Sequence, residues 1–385
     1  MLKQVRFKNF KSFTKETIIS FETTKSEILK ETNAFSNELK GVCFYGSNAS
    51  GKTNALNAIS ILLDLLFKDF YINPTTMFTI FNKDRIMYFE YTFEIGESEI
   101  VYYFEINRDG IFTKEELTLN GKKMLTRLSN SAESFLTENK DYGIDNVDDK
   151  TLFLKKIYFN TKFTSFPTLR NWFDFMKGSI YFNPINEVSK IILFDVNMTK
   201  EAYLIEFLER NSEQEINDFF KEFNFPYTIK YEKPNNPFAS IQSPFSFIKF
   251  VRKNMADVPY IMESYGNKVL LSILPSFLTV IKNGGILAID EFSSGLHNKL
   301  EELLIRYFNK HSVNSQLIFV SHSTNLLKTS LLRPDQIYSV DFDKDGSFLR
   351  RFSDDKPRET QNLEKMYLSG AFGGIPLYEN NSKQK

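Results

Sequence analysis

Residues 46–53 read Gly46-Ser47-Asn48-Ala49-Ser50-Gly51-Lys52-Thr53, the pattern Gly, four residues, Gly-Lys-Thr. Immediately before them, Val42-Cys43-Phe44-Tyr45 is a continuous apolar run, as in a strand covered on both faces. Immediately after them, Leu56, Ile59, Leu62, Leu63 and Leu66 recur at helical spacing and predict an amphipathic helix over 53–67. A strand, a glycine-rich turn and a helix N-terminus in that order form a cradle for phosphate groups. The glycines let backbone N–H groups converge on phosphate oxygens, and the helix N-terminus adds a field that favours anions. Lys52 is placed to reach the β- and γ-phosphates, and the Thr53 hydroxyl to join the shell of a Mg²⁺ ion. Gly46, Ser47, Asn48, Ala49, Ser50, Gly51, Lys52, Thr53 and the following Asn54 are therefore the expected nucleotide-binding residues.

Two further apolar runs end in chemistry. Ile286-Leu287-Ala288-Ile289 is followed by Asp290-Glu291, and Leu317-Ile318-Phe319-Val320 by Ser321-His322. An apolar strand ending in Asp-Glu is common by itself. Beside a phosphate loop it acquires a meaning: Asp290 to hold the Mg²⁺ shell, Glu291 to orient and polarise an attacking water. A lone Asp would suit many nucleotide binders; the adjacent glutamate favours a hydrolase. His322 is placed to donate a hydrogen bond to the γ-phosphate and so report its presence. Between the runs, Leu300, Leu303, Leu304, Tyr307 and Phe308 mark an amphipathic helix. Three buried strands with polar groups at their C-terminal ends fit a parallel sheet whose site lies along that edge.

Composition narrows the class. The chain has 385 residues, 42% of them apolar and 25% charged, as in an ordinary globular protein. Lys+Arg and Asp+Glu both number 48, so nucleic acid would have to be bound by a local basic groove, not by bulk charge. One cysteine, Cys43, excludes an internal disulfide framework and a multi-Cys zinc site within the chain. Three histidines leave little for a metal cluster. The N-terminus lacks the apolar core of a secretory signal, and the longest apolar stretch, 269–281, is too short to span a bilayer. These features predict a cytoplasmic protein without a membrane segment.

The remaining pattern suggests three parts. Leu2 to Phe7, Phe10 to Phe13 and Thr17 to Phe21 read as strand candidates. Met87 to Glu94, Glu99 to Ile106 and Ile111 to Leu119 form an antiparallel meander, with Asn120-Gly121 as a hairpin turn. With the phosphate loop these make residues 1–125 the first part. Residues 126–254 read as an inserted, mainly helical lobe, interrupted at Pro226, Pro234, Pro237 and Pro244. Lys122, Lys123 and Arg127 near its start read as a solvated face. Residues 255–385 return to sharp signals: Ser264 before Tyr265-Gly266 reads as a helix N-cap, and Asp341, Asp343 and Asp345 beside Gly346 as a turn between strands.

Together these residues resemble the ABC-type ATPase heads of the SMC, RecF and OLD clan. The opening Val5-Arg6-Phe7-Lys8-Asn9-Phe10-Lys11-Ser12-Phe13 is similar to that clan's first strand and turn. The order also matches: phosphate loop, Ser264-Tyr265-Gly266 signature, Asp290-Glu291, Ser293-Ser294-Gly295-Leu296-His297 and His322. Leu332-Arg333-Pro334-Asp335-Gln336-Ile337 and Leu368-Ser369-Gly370-Ala371-Phe372-Gly373-Gly374-Ile375-Pro376 resemble small bacterial anti-phage ATPases of the AbiL and PARIS kinds. The resemblance implies an α/β head with a mainly parallel core sheet, an antiparallel β subdomain and an inserted helical lobe. It implies a homodimer or larger homo-oligomer with ATP sandwiched between heads, Ser264 and Gly266 of one head meeting the nucleotide of the other. It further implies a separate effector protein, a nuclease, gated in abortive infection.

One departure concerns Gln. Clan members often place a Gln after the first helix to touch Mg²⁺ and water, but this chain has none between Gln4 and Gln214. Asn82 is the candidate substitute. Two other functions stay open on the sequence: a RecF-like DNA-binding repair ATPase, and a scaffold that holds nucleotide with slow hydrolysis. Zero net charge and the lack of a heptad repeat speak against the first, and the missing Gln speaks for the second.

Overall fold

The computed structural model describes residues 1–136, 142–185, 188–191, 196–233 and 244–375. Pro234, Pro237 and Pro376 lie outside the described residues. The N-terminal strands β1 (Leu2–Lys8) and β2 (Thr17–Ser20) are joined by a turn. The strand expected over Phe10 to Phe13 is part of that turn: Phe13 N donates to Phe10 O at 2.8 Å, and Asn9 and Lys11 have φ of 59° and 50°. Both rings are fully buried, so apolar content there marks core and not a strand.

Next come the buried β3 (Gly41–Gly46), the helix α1 (Lys52–Phe67), and the meander β4 (Ile86–Ile95), β5 (Ser98–Asn107), β6 (Phe112–Leu119) and β7 (Lys122–Leu128). Asn120 and Gly121 join β6 to β7 with φ of 50° and 75°, the two left-handed residues a tight hairpin turn needs. Strands β8 (Ser131–Ser134) and β9 (Tyr142–Asp145) continue the same sheet. Its order is β9-β8-β7-β6-β5-β4-β1-β2, antiparallel throughout.

The second sheet carries the chemistry. It contains β10 (Ile180–Phe182), β11 (Val188–Ile191), β12 (Val196–Thr199), β16 (Gly285–Ile289), β17 (Ser315–Val320), β18 (Ile337–Asp343) and β19 (Gly346–Arg351). The order is β12-β11-β10-β16-β17-β3-β18-β19, with the run from β10 to β18 parallel. Buried Gln316 on β17 ties the sheets together: its amide accepts from Leu2 N at 2.8 Å and donates to the carbonyls of Leu2 and Leu39.

Helix α1 lies between the two sheets, and nearly every residue of it is buried, not one stripe alone. The extra cover comes from α2 (Phe153–Asn160) and α3 (Pro167–Lys177). Trp172 of α3 packs on Phe93 and Tyr102 of the antiparallel sheet. Glu115 of β6 caps α2, accepting from Phe153 N at 2.8 Å and Leu154 N at 2.7 Å. Arg127, expected on a solvated face, is instead 2% exposed and donates to the carbonyls of Ser129, Asp148 and Thr151. Five donors let one buried guanidinium tie the turn at Ser129 to the segment 148–151 through three carbonyls.

The expected boundary at 125/126 falls inside β7. The stretch 126–254 supplies helices α2, α3, α4 (Lys200–Asn211) and α5 (Gln214–Glu222), but also strands to both sheets. Further strands β13 (Tyr227–Tyr231), β14 (Ile248–Arg252) and β15 (Val258–Pro259) form a small sheet of their own. Helix α6 (Tyr265–Asn283), with α7 (Asn298–His311), covers the other face of the parallel sheet. Helix α8 (Leu363–Leu368) follows the last strand. No helix among the described residues is long and apolar enough to cross a membrane.

Candidate functional site

Strands β10, β16, β17 and β3 are adjacent and parallel, so the groups at their C-terminal ends share one edge. The phosphate loop leaves β3 at Gly46, where a Cβ would lie 2.4 Å from the Val340 carbonyl of β18. Gly51 enters α1 with φ of 110°, and a Cβ there would lie 2.4 Å from Ser347 Oγ. Gly46 allows close approach of backbone to backbone, and Gly51 allows both its left-handed φ and the close approach of the Ser347 and Ser12 hydroxyls. The Ser50 hydroxyl is buried with no hydrogen-bond partner among the described residues. Lys52 is buried beneath the loop, where its ammonium donates to Gly46 O at 3.0 Å and Ser47 O at 2.8 Å. Burial lowers its pKa, and Glu291 and Asp290 oppose that shift.

The expected metal-binding pair meets. Thr53 Oγ1 donates to Asp290 at 3.2 and 3.1 Å from its two oxygens. Burial pushes the Asp290 carboxyl up, with the neighbouring Glu291 charge acting in the same direction and the Thr53 hydrogen bond against it. Glu291 follows with φ of 56°, a left-handed conformation that a non-glycine residue holds only where its surroundings enforce it. Here Phe292 N donates to Val320 O at 2.9 Å and Ser294 N to Glu291 O at 3.0 Å, fixing the turn. The carboxylate is aimed at His322, with Nε2 3.8 Å from Glu291 Oε1. Burial and the nearby Lys52 charge lower the His322 pKa, so the imidazole is neutral at pH 7. Ser293 braces the His322 backbone: its hydroxyl oxygen accepts from His322 N at 3.3 Å.

The structure thus brings Lys52, Thr53, Asp290, Glu291 and His322 to one place. Asn54 Nδ2 donates to Ser12 Oγ at 2.8 Å, on the wall formed by the turn after β1. Ser264 and Gly266 lie elsewhere, at the start of α6. Ser264 is exposed and caps that helix, its oxygen accepting from Asn267 N at 3.3 Å. Gly266 packs against Gly295, where a Cβ would lie 3.3 Å from the carbonyl. Around this helix start, Ile261, Met262 and Tyr265 are 75%, 76% and 64% exposed.

Asn82 is engaged away from the Thr53–Asp290 pair. Its amide donates to Asn9 Oδ1 at 2.7 Å and accepts from Asp84 N at 3.1 Å. The amide beside the carboxylate is that of Asn183, at the end of β10, with Nδ2 3.4 Å from Asp290 Oδ2. Asp290 N also donates to Phe182 O at 3.0 Å, and burial with the Asp290 charge pushes the Tyr181 phenol up. Nothing in the short run Ile180-Tyr181-Phe182-Asn183 marks it as part of the site; only its pairing with β16 does.

A phosphate-loop sequence, an acidic pair and a histidine at the ends of adjacent parallel strands, backed by an antiparallel sheet, give the fold of an SMC-type ATPase head. Solved structures share this fold. The SMC head domain from Thermotoga maritima is 17% identical, with a TM-score of 0.51 over 91% of this chain and 98% of that one. A structure of the SmcHead bound to the C-winged helix domain of ScpA is 14% identical, with a TM-score of 0.52 over 90% and 97%. The chain belongs to the family described as "AAA domain, putative AbiEii toxin, Type IV TA system", matched over residues 42–328. No curated protein matches its sequence.

Proposed function

We propose that this chain is a cytoplasmic, Mg²⁺-dependent ATPase that dimerises around ATP and thereby gates a separate effector, a nuclease, in antiviral defence. The observation that carries the ATPase reading is the convergence of Lys52, Thr53, Asp290, Glu291 and His322 on one sheet edge. In this reading Gly46 to Asn54 wrap the phosphates with backbone N–H groups, and the buried Ser50 hydroxyl gains a ligand partner. Lys52 leaves the Gly46 and Ser47 carbonyls for the β- and γ-phosphates.

The Thr53 hydroxyl and Asp290 carboxylate suit Mg²⁺, which takes few protein oxygens and completes its shell with water and phosphate. When bound, the ion neutralises charge on the transferring phosphoryl group. Asn183 holds the Asp290 carboxylate in position. Glu291 orients the attacking water, and neutral His322 donates to the γ-phosphate.

Ser264 and Gly266 serve a second copy. Their helix start is exposed, and its N–H groups and dipole favour an anion such as the γ-phosphate on another head. The apolar residues around it would be covered by that contact. The defence role rests on the family description, which names a putative AbiEii toxin, and on the resemblance to abortive-infection ATPases. The effector partner has a parallel in fold: an SmcHead binds the C-winged helix domain of ScpA.

Native mass spectrometry of Glu291→Gln, purified from its own host with ATP and Mg²⁺, tests the whole reading. The expected species is a dimer or higher multiple that carries unhydrolysed ATP and a second protein. Phosphate release should fall by roughly 10²- to 10⁴-fold, as for loss of a general base. A monomer without nucleotide would refute the sandwich.

A further inference from the structure

His322 leaves β17 on a short segment that several other elements hold. The residue after it, Ser323, is fixed at three atoms. Its N–H donates to Ser321 Oγ at 3.0 Å, its carbonyl accepts from the Tyr45 hydroxyl at 3.2 Å, and its own hydroxyl donates to Glu301 Oε1 at 3.0 Å. Thr324 Oγ1 then donates to Glu364 Oε1 of α8 at 2.9 Å. Tyr45 immediately precedes Gly46, and Glu301 lies in the first turn of α7. Ser323 thus joins the strand that enters the phosphate loop to the helix that follows Ser293–His297.

Stability does not explain Glu301. It is 1% exposed, and its second carboxylate oxygen, Oε2, has no hydrogen-bond partner among the described residues. Burial pushes its pKa up, against the Ser323 hydrogen bond and the His297 charge. In either protonation state a polar atom there goes unmet, and an unmet buried polar atom opposes folding. A first-turn glutamate gains from the helix dipole, but a solvated side chain would gain from it without that desolvation. What burial secures is the single contact to Ser323.

We propose that Glu301 is a positioning residue for His322, acting through the Ser323 hydroxyl to fix the backbone from which the imidazole meets the γ-phosphate. This rests on the ATPase reading above and adds α7 to the machinery of that site. Glu301 itself touches neither nucleotide nor water in this scheme. Its effect falls on the chemical step, because a donor displaced by a fraction of an ångström is misaligned in the transition state. Ground-state binding of ATP, set by Lys52 and the backbone of the loop, is left alone.

The experiment measures steady-state ATP hydrolysis by the full chain and by Glu301→Ala, Ser323→Ala, their double variant and Glu301→Gln. Each alanine variant should lose about ten- to a hundredfold in kcat, with KM for ATP unchanged within about twofold. The double variant should be no slower than either single one, as for two groups that act as a unit. Glu301→Gln keeps a carbonyl oxygen for the Ser323 hydroxyl and should hydrolyse ATP like the wild type. The His322 ring resonance, one of three histidines in the chain, should move in both alanine variants and stay in place in Glu301→Gln. Ser323→Ala alters no charge, so it separates position from electrostatics. Thermal melting checks folding; should Glu301→Ala not fold, Ser323→Ala against Glu301→Gln decides. Unchanged kcat and ring resonance in the alanine variants would overturn the proposal. Losses that multiply in the double variant, or a Gln variant as slow as the Ala one, would overturn it too. A wild-type chain without hydrolysis would refute the ATPase reading, and the ring resonance would then decide alone whether Glu301 places His322.

Discussion

The His322 imidazole shows how one residue can be read at two levels. Its place in Val320-Ser321-His322-Ser323 makes it a switch candidate by order along the chain, but its protonation state depends on what lies around it. Burial acts first, the Lys52 ammonium second, and the opposing carboxylates Glu291 and Asp290 do not reverse them. In the unfolded chain the histidine takes up a proton near pH 6.5; in the folded protein it does so only at lower pH. Stability from this group is thus present above pH 6.5 and lost as the pH falls through the lower folded value. With three histidines in the chain, an NMR titration resolves the point directly. The His322 midpoint should lie below 6.5, and a midpoint at or above 6.5 would remove the neutral donor. Glu291 teaches a related lesson: its φ of 56° cannot be read from Asp-Glu, because it is imposed by hydrogen bonds to residues 320 and 294.

At the scale of elements, strands, helices and turns with a strong local pattern agree with the sequence to within a few residues. Val42 to Tyr45, Asn120-Gly121 and the Ser264 cap belong to this group. What the local pattern misreads is context. Phe10 and Phe13 fill a core from a turn, and Arg127 is buried because a loop closes over it. The Arg333–Asp335 pair is another such case, visible in the sequence as part of a family motif without a role. In the structure both side chains are fully buried, and they bridge at 2.8 Å. Arg333 also donates to the carbonyls of Ser26 and Ile28, while Asp335 accepts from Thr24 N and Oγ1 at 2.8 Å. The pair straps the segment after β2 to the parallel sheet. Burial alone would raise the Asp335 pKa, but Arg333 and Thr24 hold it below the usual value of 3.8. Its contribution is complete above pH 3.8 and lost as the pH falls through the lower folded value. Arg333→Ala leaves the buried carboxylate with its Thr24 hydrogen bonds but no counter-charge, which should cost about 3–5 kcal/mol in urea unfolding. A loss under 1 kcal/mol would mean the strap holds without the pair.

For the whole molecule, the two halves of the proposed ATP sandwich lie apart on one chain: the loop and carboxylates at the sheet edge, Ser264 at the exposed start of α6. This makes a clean test of assembly. Ser264→Asp keeps an N-cap oxygen but sets a negative charge where a partner's γ-phosphate would sit. ATP-dependent dimerisation by light scattering should weaken by roughly a hundredfold or more, since like-charge juxtaposition costs several kcal/mol. ATP binding to the monomer should stay the same. Ser264→Asn, which caps without charge, should still dimerise. Equal dimerisation by the Asp variant would place Ser264 outside the interface.

The sequence by itself determined the phosphate cradle, the strands that end in Asp290 and His322, and the class of fold they build. These are local patterns, in which residue type and spacing along a few turns or pleats fix backbone geometry and the chemistry at its end. Only the tertiary structure decided that residues 126–254 feed both sheets and that Asn183 and not Asn82 stands beside Asp290. Each depends on pairing between strands far apart in the chain. Such pairing depends on which buried surfaces must be covered, and no window of neighbouring residues carries that information.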